Sequence, residues 1–129
     1  MEVVADASAF LAVVLDEADR EWVIEKTFGY AIASPEVLPY EIANALIAMG
    51  RKGRLTDEEI LEAFEISQKI PVRLLPVNIS DAMKIAIKFG IYAYDAFYIQ
   101  CRVEAKLPLI SLDKKMCDVA DSLGINLMR

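Results

Sequence analysis

The feature that most constrains this chain is its alternation of short apolar runs with longer stretches of helical pattern. Val3-Val4-Ala5, Ala31-Ile32-Ala33, Val72 to Val77 (or ending early at Pro76), Leu109-Ile110-Ser111-Leu112 and Ile125 to Met128 read as strands. Between them lie helical patterns at Ala7–Leu15, Glu17–Lys26, about Pro39–Met49, Thr56–Lys69, Ser80–Phe89, Tyr94 or Asp95 to Ala105, and Lys114–Ser122. Short apolar strands separated by helices predict a parallel sheet covered on both faces, a three-layer αβα sandwich. No linker or repeat interrupts the pattern, and 129 residues suit one domain over 1–129.

Local signals set the helix ends. Ser34 and Pro35 resemble a cap and first helical position, with Pro39 delaying or kinking the helix that follows. Thr56-Asp57-Glu58-Glu59 is a capping box. Gly90 closes the helix from Ser80. The segment Ile42 to Met49 is apolar on nearly every side, interrupted by Asn44. A helix of that kind is expected to be covered all round, which predicts a homodimer using part of it.

Composition removes several chemistries. The chain has no histidine, so Ser-His-Asp and Cys-His catalysis and histidine ligation are excluded. Carboxylates remain, and these favour hard cations such as Mg²⁺ and Mn²⁺. A net charge of −6 disfavours a simple nucleic-acid binder. It counts less against a nuclease whose acidic pocket is neutralised by cations. Cys101 and Cys117 are too few for a zinc cluster or disulfide framework and are expected to be reduced thiols. No secretory signal and no membrane-spanning run is visible, so a cytoplasmic protein without a membrane partner is expected.

In open parallel sheets, ligands bind beyond the carboxyl ends of the strands. Asp6 directly follows the first strand and Asp113 the fourth; Asp95 begins the helix leading into the fourth, and Glu41 lies early in the helix after the second. Each has an ordinary alternative. Asp6, Asp95 and Asp113 can cap helices, and Glu41 can be a first-turn glutamate. Together they repel one another unless a cation neutralises them, and divalent ions so held can drive phosphodiester hydrolysis without histidine. Ser8 and Ser111 flank this set and can orient a carboxylate or a water, or simply close local turns.

At these residues the sequence resembles the PIN domain, and within it the small VapC-type toxins of prokaryotic toxin–antitoxin pairs. The motifs are Val4-Ala5-Asp6-Ala7-Ser8-Ala9-Phe10-Leu11, Pro39-Tyr40-Glu41-Ile42-Ala43-Asn44-Ala45-Leu46, Tyr94-Asp95-Ala96-Phe97-Tyr98 and Leu109-Ile110-Ser111-Leu112-Asp113. The last carries serine where threonine is common. The resemblance implies about five parallel strands in the order 3-2-1-4-5 and an Mg²⁺- or Mn²⁺-dependent endoribonuclease. It also implies RNA as substrate and inhibition by a small antitoxin.

Basic residues able to meet phosphates are few. Lys114 and Lys115 follow Asp113, and Arg51, Lys52 and Arg54 cluster after the glutamate helix. For both groups the alternative is a solvated helix end. Lys114 and Lys115 sit in a first turn, where cations are otherwise disfavoured. Two other readings compete: a non-catalytic binding module on the same fold, and a phosphoacceptor receiver-like domain. The latter would need an aspartate after the third strand, where Pro76-Val77-Asn78 stands.

Overall fold

A computed structural model describes residues 1–129. Four strands form one parallel sheet: β1 (Glu2–Ala5), β2 (Ala31–Pro35), β3 (Arg73–Leu75) and β4 (Leu109–Ile110). Seven helices connect and follow them: α1 (Ala7–Val14), α2 (Arg20–Thr27), α3 (Leu38–Arg51), α4 (Asp57–Lys69), α5 (Ile79–Phe89), α6 (Ala93–Ala105) and α7 (Lys114–Ser122). The strand order is β3-β2-β1-β4. β1 pairs with β2 through Glu2↔Ala31, Val3↔Ile32 and Val4↔Ala33, and with β4 through Val4↔Leu109 and Ala5↔Ile110. Val3 and Val4 are fully buried, as a central strand covered on both faces requires.

The helices fall into two packed groups. α1 touches α2, α3 and α4, while α6 packs against α5, α7 and the strands β1 and β2. With the sheet this gives the expected three layers. Their shared core includes Phe10, Leu46, Tyr98, Ile99, Leu109 and Met116. No helix is long and apolar enough to cross a membrane.

Two local expectations are corrected and a third, the early end of β3 at Pro76, is met. Ser34 and Pro35 do not cap α3; they are the last residues of β2, and α3 begins at Leu38 after Val37. The Ser34 hydroxyl is spent on the Ala5 carbonyl of the neighbouring strand, so it stays in the sheet. The fifth strand shrinks to one parallel bridge, Leu109↔Leu127. β4 is only two residues long and offers little edge to extend. β3 is confined to Arg73–Leu75, between Pro71 and Pro76, neither of which can donate to a ladder.

The expectation that α3 is covered on every side also changes. Leu38, Ile42 and Leu46 are buried at four-residue steps, and α4 packs alongside. Tyr40, Asn44, Ile47 and Ala48 face solvent. The helix is therefore amphipathic, and much of its outer face is small or aromatic rather than a continuous core.

A candidate active site of four carboxylates

The chain reverses its direction of winding at β1: β2 and β3 lie on one side and β4 on the other. The carboxyl ends of β1 and β4 therefore flank the topological switch point, where open α/β sheets bind ligands. Asp6 lies at the end of β1, and Ser111 to Asp113 follow β4.

Asp6 is 2% exposed and caps α1. Its Oδ1 accepts from the Ser8 hydroxyl at 2.6 Å and the Ala9 amide at 3.1 Å, and its Oδ2 accepts from the Ser111 hydroxyl at 2.5 Å. The serines are themselves held, Ser8 by the Leu112 amide and Ser111 by the Asp113 amide, each at 3.0 Å. The loop after β4 is thus tied to the end of β1 through one carboxylate. Ionised carboxylates offer roughly four lone-pair positions. Three are engaged here, which leaves Oδ2 able to take one more partner. Burial outweighs these donors and raises the Asp6 pKa to about 6.

The other three carboxylates surround this point. Glu41 lies in the first turn of α3, with Oε2 buried and lacking a hydrogen-bond partner. Burial first, then the charges of Asp95 and Asp6, lift its pKa to about 7, with a smaller contribution from Asp113. Asp95 is not a cap. α6 begins at Ala93 with Tyr92 before it, so Asp95 stands in the first turn with its side chain free. Its pKa is raised by burial and then by Asp113, against the opposing charge of Lys115. Asp113 does cap α7, accepting from the Met116 amide at 2.8 Å. Asp6 and Asp113 are thus both caps and members of the acidic cluster.

The basic candidates separate. Lys115 donates to the Gly90 carbonyl at 3.0 Å, and its charge reaches Asp95, so it stands beside the cluster. Lys114 pairs with Asp118 at 3.2 Å. Arg51, Lys52 and Arg54 are exposed at the other end of α3. A rise of about 1.5 Å per residue puts Arg51 about 15 Å along the axis from Glu41. The sequence placed Tyr98 in a motif but not in the site; it is fully buried next to Glu41. Its place three residues after Asp95, on the same helical face, was the available signal.

A divalent cation fits this donor set. It is oxygen-only, mutually repelling, and contains an unpartnered buried carboxylate oxygen. In this arrangement no three acidic or thiol side chains stand close enough together to hold one ion between them. A hydrated Mg²⁺ usually touches only one or two carboxylates directly, and the others of the four would act on it through its waters. The most apolar hollow, about 320 Å³ between α1, α2 and β2, is lined by Phe10, Val13, Val23, Ile24 and Phe28 and does not include the acidic cluster.

Comparison with known proteins agrees with this architecture. The PIN domain model matches residues 3–122. Ribonuclease VapC3 of Pyrobaculum aerophilum is 28% identical over 124 residues, covering 92% of this chain and 94% of that one. The crystal structure of PAE2754 from Pyrobaculum aerophilum superposes with a TM-score of 0.72 at 22% identity, over 92% of this chain and 84% of that one. Mycobacterium tuberculosis VapC20, described as a sarcin-ricin loop cleaving toxin, gives a TM-score of 0.68 at 12% identity over 99% of both chains.

Proposed function

The chain belongs to the PIN domain family, and on that premise we propose that it is a metal-dependent endoribonuclease, the toxin of a toxin–antitoxin pair. The observation that carries the reading is the gathering of Asp6, Glu41, Asp95 and Asp113 at the switch point, with one Glu41 oxygen buried and unpartnered. These four residues would hold Mg²⁺ or Mn²⁺. Such an ion supplies Lewis acidity, lowering the pKa of water and offsetting charge on a phosphodiester. Ser8, Ser111 and the Ala9 amide keep Asp6 in one orientation. Lys115, whose charge already acts on Asp95, would meet a substrate phosphate there. The ribonuclease relative supports RNA as substrate, and a small antitoxin inserting a basic side chain into the pocket belongs to the same reading.

The test is cleavage of an RNA substrate by the purified chain. Cleavage is expected with Mn²⁺ or Mg²⁺ and none in excess EDTA. Full cleavage in EDTA overturns the metal role, and no cleavage of any RNA with either metal overturns the nuclease.

A homodimer is part of the same proposal, and the better-supported contact face is α5 rather than α3. Ile79, Met83 and Ile87 recur at four-residue steps and are 60%, 49% and 79% exposed. An apolar helical stripe of this kind is normally covered. Sedimentation at micromolar concentration is expected to give a dimer, and Ile87→Asp a monomer. A monomeric wild type, or an unchanged dimer in the variant, rejects this face.

A further inference from the structure

Tyr98 is among the largest fully buried side chains, yet its hydroxyl has no hydrogen-bond partner. A phenylalanine would fill the same space without burying an unpaired polar atom. The hydroxyl therefore needs a use that the resting arrangement does not display. The side chain it approaches as a hydrogen-bonding neighbour is Glu41, whose Oε2 is likewise buried and unpartnered. The Tyr98 hydroxyl thus lies close enough to lower the Glu41 pKa as a donor, yet neither it nor Oε2 reaches the geometry of a formed hydrogen bond. Tyr98 lies one turn after Asp95 on α6, and Glu41 lies on the first turn of α3. A bond between them would join the two helices across the acidic site.

Resting on the nuclease reading above, we infer that Tyr98 is a positioning residue: its hydroxyl donates to the Glu41 carboxylate and fixes it in the arrangement that takes a divalent cation. With Glu41 held as a ligand, the Tyr98 hydroxyl would complete that bond. In the metal-free fold the pair stays short of full bond geometry, so it adds little to stability there. Asp95 and Tyr98 then act from one face of α6, the first toward the ion and the second on its glutamate ligand.

This separates Tyr98 from an ordinary core residue. Mn²⁺ binding to the metal-free chain is measured by calorimetry, beside the metal-free Tm, for wild type, Tyr98→Phe and Asp95→Asn. Tyr98→Phe should keep or raise the metal-free Tm and weaken Mn²⁺ binding about tenfold, the loss of one hydrogen bond to a charged group. Asp95→Asn, which removes a ligand, should weaken it further. Equal Mn²⁺ affinity in wild type and Tyr98→Phe overturns the inference while leaving the metal site standing. A Tyr98→Phe variant that loses several degrees of metal-free Tm also overturns it, because Tyr98 is then structural. A wild type that binds no Mn²⁺ overturns the site and this inference together.

Discussion

Asp95→Asn is expected to reduce RNA cleavage by about a hundredfold or more while leaving the metal-free protein folded, with its Tm unchanged or slightly raised. The magnitude is that of removing one preorganised electrostatic group from an active site. The stability follows from local structure. Asp95 caps nothing and makes no hydrogen bond, and its neighbours disfavour its ionised form. A neutral amide of the same shape relieves that repulsion. Asp6→Asn should behave differently and lose both activity and stability. Its oxygens receive the Ser8, Ser111 and Ala9 donors, so an amide NH₂ would either face the Ala9 N–H or force the Ser111 hydroxyl to give up its bond and accept instead. Cleavage assays paired with thermal melts check both substitutions. Wild-type activity in Asp95→Asn would remove it from the site, and collapse of its Tm would make the activity loss uninformative about chemistry.

In metal-free buffer the protein should melt higher near pH 5 than near pH 7.5, by several degrees. Burial raises Glu41 from 4.5 to about 7, with Asp95 adding to the effect, and raises Asp6 from 3.8 to about 6. Between the unfolded and folded values, the folded chain holds more protons than the unfolded one. Unfolding free energy therefore falls as pH rises through that window, and this contribution is gone above about pH 7. The exposed Glu2 acts in the opposite sense, since Arg73 lowers its pKa. Its contribution is lost only below its unfolded value of 4.5, outside the window tested. Mn²⁺ should reverse the trend, because a cation favours the ionised carboxylates. The Tm gain from Mn²⁺ should thus be larger near pH 7.5 than near pH 5. A flat metal-free profile, together with a pH-independent Mn²⁺ effect, would show that these carboxylates do not share one site.

What the sequence determined by itself is the part of the protein governed by short-range chemistry. Buried parallel strands read as apolar runs, so the α/β class was legible from runs such as Val3-Val4-Ala5 and Leu109-Ile110 alternating with helical patterns. The Thr56 capping box appears in the structure with both of its hydrogen bonds, because donor and acceptor are three residues apart. Asp6 and Asp113 stand where strands hand over to helices, and such junctions are set within a few residues. Tertiary structure decided whatever depends on a partner far along the chain. Ser34 looked like a helix cap but bonds the Ala5 carbonyl, 29 residues away. The last strand fell to a single bridge because its neighbour β4 proved only two residues long. The outer face of α3 was separated from its inner face by α4, and the lysine beside the acidic cluster was chosen by the end of α5. Glu41 is the clearest case. Its place in a motif made it a candidate, but its unpaired oxygen and its meeting with Tyr98 arise only when α3 and α6 close over the same end of the sheet. Burial of a carboxylate among other carboxylates is set by the packing of remote segments, and no local pattern encodes it.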